Sequence, residues 1–275
     1  MKKIFLVLLA AATAISVSAQ QYKAPLIIAN GGFHQHSSSG AKNTMSALKA
    51  AQKAKFYGSE CDVNLTKDNE VLVVQSGAHP HRKAKPKADV QRSTIERMLE
   101  IPYTNGEYIC TLEEFLERVA KKPGTKLILD LKNQATPQRE TILVEKVLDI
   151  VARYNMQNNV EYIADHAWTC LELIRKAPQG AKIAYIAGDC TPSYIKALGC
   201  TGIDYNYKTL KKRKGWIKQA HKLGMTVNTW TVNKEEDIRW CIQNGVDMIT
   251  TDDPVLVKKI IKEMCPKQKK EKKKR

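Results

Sequence analysis

The chain has 275 residues, a formal net charge of +17 and 43% hydrophobic residues. That length rules out a mini-domain dependent on disulfide or metal staples and suits one large domain with its own core. The basic excess favours anionic partners, whether phosphate esters, lipid head groups or nucleic acid, without choosing among them.

Lys2 and Lys3 precede an apolar run, Ile4 to Val17, that ends in Val17-Ser-Ala19. A charged start, a short apolar stretch and small residues before a cut describe a signal peptide over residues 1–19. The run is shorter than the ~20 residues a membrane span needs. A periplasmic or secreted protein is therefore expected.

From residue 20 to 263, short apolar runs alternate with helical patterns. The predicted strands are Leu26–Asn30, Glu60–Leu65, Lys126–Lys132, Val160–Asp165, Ile183–Ala187, Gly202–Tyr205, Thr226–Thr231 and Asp247–Thr250. The predicted helices are Thr44–Lys55, Leu112–Ala120, Arg139–Tyr154, Trp168–Lys176, Thr209–Lys222, Lys234–Gln243 and Pro254–Glu263. Such alternation gives parallel strands joined by helical crossovers, and eight of them count out a (β/α)₈ TIM barrel. An open doubly wound sheet is the alternative, but no GxGxxG turn follows the first strand. After the second strand, Glu70–Gln75 reads as an extra strand opening an insertion rich in lysine. Residues 264–275 read as a basic disordered tail, with seven basic residues between Pro266 and Arg275. Near an anionic membrane each would contribute ~1 kcal/mol, although a merely solvated end is the commoner outcome.

Seven cysteines form no CxxC pair, which argues against a zinc ribbon or dithiol motif. Cys190 and Cys200 could bridge; small buried hydrophobes are the better reading of most of the seven.

Side chains two apart on a strand share a face, so Glu60 and Asp62 point together toward the mouth of a barrel. Asp130 sits in the third predicted strand, with Lys132 two residues on. Three converging carboxylates repel one another unless a cation neutralises them, and oxygen ligands suit Ca²⁺ or Mg²⁺. Lys132 could then hold a phosphate oxygen. The plainer alternative is a set of strand-end carboxylates paired with nearby lysines.

These residues lie in a longer pattern that resembles the glycerophosphodiester phosphodiesterase family. The likeness is strongest at Gly58-Ser-Glu60-Cys-Asp62-Val-Asn-Leu-Thr66-Lys-Asp, against the family's Glu-x-Asp-Val-x-x-Thr-x-Asp. It extends through Ile27-Ile-Ala-Asn-Gly-Gly, Asn43-Thr44, Leu129-Asp130-Leu-Lys132, Trp230-Thr-Val-Asn233 and Gly245-Val-Asp-Met-Ile-Thr-Thr-Asp252-Asp-Pro254. The resemblance implies a metal-dependent hydrolase that splits glycerophosphodiesters into an alcohol and glycerol phosphate. It implies that Glu60, Asp62 and Asp130 are metal ligands, Lys132 a phosphate contact and Trp230 a wall of the substrate pocket. It implies a small-molecule phosphodiester or other anionic ligand and no nucleic acid.

The departures bear on activity. Where the family carries two proton-transfer histidines, this chain has Asn30 and Gln75, and Gly31 replaces an arginine. Asp130 replaces glutamate, and Lys42 replaces an acidic residue. An amide exchanges no proton near neutral pH, and each positioned acid or base contributes ~10²–10⁴-fold. His34, His36, His79 and His81 are the candidate substitutes, on loops near the two lost positions. His166 ends the fourth strand beside Asp165, facing the rim or packing beneath it. An enzyme of altered efficiency and a silent barrel that binds a cation and anionic ligands are thus both open. A basic surface-adhesion protein is a third reading.

Overall fold

The computed structural model describes residues 22–36, 40–75, 89–103 and 105–266. Residues 1–19, expected to be a signal peptide, His79, His81 and residues 267–275 lie outside them. Among the described residues the strands are β1 (Leu26–Ala29), β2 (Gly58–Leu65), β3 (Val71–Val73), β4 (Cys110–Thr111), β5 (Lys126–Leu131), β6 (Val160–Ala164), β7 (Ile183–Tyr185), β8 (Gly202–Asn206), β9 (Thr226–Trp230) and β10 (Met248–Thr251). All but β3 and β4 pair in parallel. Because β1 bonds both β2 and β10, the eight close into a barrel. The expected (β/α)₈ architecture is the observed one.

The helices are α1 (Met45–Ala54), α2 (Ile95–Leu99), α3 (Leu112–Lys121), α4 (Pro137–Arg153), α5 (Ala167–Lys176), α6 (Pro192–Leu198), α7 (Tyr207–Lys212), α8 (Trp216–Lys222), α9 (Glu235–Gln243) and α10 (Pro254–Met264). Their starts follow from the sequence. Thr44 accepts from the Ala47 amide at the head of α1, and Thr111 with Glu114 makes a reciprocal capping box on α3. Asp253 and Pro254 open α10 in the same manner.

Alternate strand residues point into the barrel. Ile28, Ile128, Ile163 and Met248 pack there as an apolar floor. The side chains two residues further along several of these strands are polar, so the floor carries a polar upper layer. Outside, the strands and helices bury one continuous core that includes Leu65, Leu129, Phe115 and Tyr205.

Two expectations need correction. The helix predicted over Thr209–Lys222 is two, α7 and α8, because Gly215 takes a left-handed φ of 101° between them. The segment between the fifth and sixth predicted strands holds α6, capped by Thr191 and ended by Gly199, where no helix is expected. The extra strand after β2 is present as β3, antiparallel to β2, and β4 pairs with it in turn. This insertion has a core of its own, with Leu72, Val74, Met98 and Tyr103. Among the described residues no helix is long and apolar enough to cross a membrane. All seven cysteines are free, five of them buried, so Cys190 and Cys200 are not bridged.

Candidate active site

The C-terminal ends of the barrel strands surround a cavity of about 720 Å³. Asp62 on β2 is level with Asp130 on β5 in the parallel register, and Glu60 lies two residues below Asp62. One carboxylate oxygen from each of Glu60, Asp62 and Asp130 falls within 4.8 Å of the others, and all three residues are buried. The shorter Asp130 therefore still reaches the cluster.

Each carboxylate is held in place. The Gly31 amide donates to Glu60 Oε2 at 2.6 Å. Asn43 Nδ2 donates to Asp62 Oδ2 at 2.7 Å, and Asn43 Oδ1 accepts the Asp62 amide at 3.0 Å. Lys132 Nζ lies 2.8 Å from Asp62 Oδ1 and 2.7 Å from Asp130 Oδ2. The Lys132 ammonium thus bridges two of the acids, as the plainer reading of the sequence expects.

The electrostatics match that crowding. Burial raises the Glu60 carboxyl well above its ordinary range, and Asp62 and Asp130 push it further, against the pull of Lys132. Burial raises Asp130 to about 6, with Lys132 opposing and Asp62 adding to the rise. Burial alone would depress the Lys132 ammonium, but Asp130 and Asp62 overcome it and drive its pKa up. A divalent cation would relieve the same repulsion. Three carboxylates converging on one point with a fixed orientation are a fitting donor set for a hard ion.

Asn30 and Gln75 both line the cavity. Asn30 Nδ2 donates to Asp252 Oδ1 at 2.8 Å, and Lys42 Nζ meets the same oxygen at 2.7 Å. Asn233 Nδ2 donates to Asp252 Oδ2 at 2.8 Å. Lys42 also fills the space next to Gly31. A Cβ built on Gly31, whose φ is +64°, would lie 2.6 Å from Lys42 Cβ. Trp230 forms part of the wall, with Nε1 donating to the Asp204 carbonyl at 2.9 Å.

Of the substitute histidines, His34 is half-buried with Nδ1 3.4 Å from the Gly32 carbonyl, and it does not line the cavity. Burial, reinforced by Lys42 and opposed by Asp252, lowers its pKa. The side chain of His36, and His79 and His81, are outside the described residues. Among the described residues the histidine on the cavity wall is His166, beside Asp165.

Three further acids, which the sequence reading did not assign to the site, stand on the wall. Asp165, Asp189 and Asp204 join the metal-site candidates there, so six carboxylates face Lys42 and Lys132. Oδ1 of Asp165 and Oδ1 of Asp204 are buried without a hydrogen-bond partner among the described residues. Burial raises the Asp204 carboxyl to about 8, with Asn228 opposing and Asp130 adding to the rise. A single polar residue inside the apolar run Gly202-Ile-Asp-Tyr was the available signal. Among the described residues the acids on this wall outnumber the lysines, so a cation bound there would favour the entry of an anion.

Comparison with known proteins agrees with the geometry. Residues 30–256 match the family model described as the glycerophosphoryl diester phosphodiesterase family. A glycerophosphodiester phosphodiesterase of Bacillus altitudinis is 28% identical over 233 residues, 81% of this chain and 94% of that protein. The crystal structure of a glycerophosphodiester phosphodiesterase from Parabacteroides distasonis is 33% identical with a TM-score of 0.82, covering 88% of this chain and 98% of that one. An Oleispira antarctica phosphodiesterase, solved with the product sn-glycerol-3-phosphate, shares the fold at 16% identity with a TM-score of 0.74, covering 86% and 96%.

Proposed function

The chain belongs to the glycerophosphoryl diester phosphodiesterase family, and from that premise we propose that it hydrolyses small glycerophosphodiesters with a divalent cation, Ca²⁺ or Mg²⁺, held by Glu60, Asp62 and Asp130. The observation that carries this reading is the meeting of those three carboxylates within 4.8 Å in the cavity. When bound, the ion supplies neutralisation of the charge that builds on the phosphoryl oxygens. Lys132 holds a phosphate oxygen, since its ammonium stands at the same point. Trp230 lines the pocket for the organic part of the substrate. Asn30 orients Asp252 and moves no proton, and Gln75 likewise only donates or accepts hydrogen bonds. Turnover is therefore slow.

Those two amides also favour a second reading, a barrel that retains the cation and captures phosphorylated or other anionic ligands without cleaving them. Calorimetric titration with Ca²⁺ and Mg²⁺, alongside glycerol phosphate release from glycerophosphocholine by a coupled assay, separates the two. Binding abolished by Asp62→Ala, with measurable hydrolysis, supports the enzyme. Binding without hydrolysis supports the capture protein, and no binding heat removes both.

Export is part of the same reading, supported by Lys2, Lys3 and the apolar run to Val17. A mature protein that begins after Ala19 is the expected result of intact-mass measurement. The tail, residues 264–275, adds a weak contact with anionic membrane surfaces.

A further inference from the structure

The hydrolytic reading leaves one cavity group without a part. His166 follows β6 and immediately precedes α5, so its backbone is fixed by the helix start, where its carbonyl accepts from the Cys170 amide at 3.1 Å. Its Nδ1 lies 2.5 Å from Glu140 Oε1, across the interface between α4 and α5. Glu140 is 3% exposed, and its other oxygen accepts from Thr169 Oγ1 at 2.8 Å. A buried carboxylate on Nδ1 fixes the tautomer and orientation of an imidazole. The imidazole itself is half-exposed on the cavity wall, and Nε2 has no hydrogen-bond partner among the described residues.

Register brings this ring near the reacting centre. Asp130 on β5 is level with Ile163 on β6, so continuing the ladder puts Lys132 level with Asp165. His166 follows Asp165 beyond the end of β6, and its side chain and that of Lys132 line the same cavity. A substrate filling that cavity is open to both side chains.

We propose that His166, positioned by Glu140, is the proton-transfer group of this site and donates to the departing alcohol. A water oxygen bonds to phosphorus while the phosphorus–oxygen bond to the alcohol breaks, its electron pair going to the alcohol oxygen. Nε2–H passes its proton to that oxygen, and the proton shed by the attacking water restores the imidazolium. One water is consumed, and glycerol phosphate and alcohol leave. His166 is the catalytic residue, and Glu140 is a positioning residue.

The inference rests on the hydrolytic reading, and leaving-group dependence separates the two. Glycerophosphocholine releases a poor leaving group that needs a proton, whereas methyl p-nitrophenyl phosphate releases a phenolate that does not. His166→Gln is expected to lower kcat on the first by ~10²-fold or more and to leave the second within a few-fold. Glu140→Gln should lower kcat on the first more than it raises KM. Its loss should vanish in the His166→Gln background, because a merely structural Glu140 would add to it. Imidazole in the buffer should partly restore His166→Ala on glycerophosphocholine. Equal falls on both substrates, or no fall, overturn the role of His166 and leave the hydrolytic reading standing. A wild-type protein that cleaves neither substrate overturns both.

Discussion

Asn43 grips Asp62 by both ends of its amide, donating to the carboxylate at 2.7 Å and accepting the backbone amide at 3.0 Å. It does so from a left-handed backbone, φ 59°, which asparagine tolerates better than most residues. Asn43→Ala removes both bonds at a buried site and leaves the strain. Unpaired buried polar groups cost ~1–3 kcal/mol. The expected outcome is a loss of about that size in urea denaturation, with weaker Ca²⁺ or Mg²⁺ binding by calorimetry. Unchanged cation affinity would show that Asp62 holds its place without this clamp.

Lys132 is the internal counter-charge of the acid cluster. Lys132→Met leaves Asp62 and Asp130 level on neighbouring strands with no cation between them. Like charges facing one another destabilise a sheet. In chelator the variant should melt several degrees below wild type, and added Ca²⁺ or Mg²⁺ should recover more of the deficit than it adds to wild type. Equal shifts in both proteins would mean that the ion binds elsewhere.

Asp204 sets a pH dependence of stability. Its folded pKa of about 8 lies far above the ~3.9 of an unfolded carboxyl. The folded state binds the extra proton, so the stability this group contributes is fully present below about pH 4 and is lost as pH rises toward 8. Asp204→Asn cannot ionise. Compared with wild type, it should gain a few kcal/mol in urea denaturation at pH 8 and little at pH 4, by order of magnitude. A difference that is the same at both pH values contradicts the buried neutral acid.

Asn30→His combined with Gln75→His returns proton carriers to two cavity positions. The imidazole at 30 can still donate to Asp252. A rise in kcat of ~10²-fold or more on glycerophosphocholine is expected. A rate no higher than wild type would mean that the amides are not what limits turnover.

The barrel was legible because parallel strands are apolar on both faces, so Leu127-Ile-Leu and its counterparts stand out between helical patterns. Glu60 and Asp62 were legible for the same local reason, a spacing of two within one strand. What escaped depends on contacts distant in the chain. Lys42 meets Asp252 because β1 and β10, distant in the chain, are neighbours in the barrel, and His166 meets Glu140 only because α4 and α5 pack together. Sequence proximity pointed instead to His34, whose ring turns back to the Gly32 carbonyl. The break at Gly215 and the helix α6 were missed because each involves helices of only six or seven residues, too short to show a periodicity.

The contact between Gly31 and Lys42 also constrains the order in which this pocket can change. Any side chain at 31 would collide with the first carbons of Lys42, not with its pliable tip. An arginine at 31 is accessible only after position 42 has been trimmed, and trimming 42 first removes one of the two cations facing six acids. A side chain at 31 is strained by the left-handed φ as well as by Lys42, so the two positions are coupled and a change at one constrains what the other can hold.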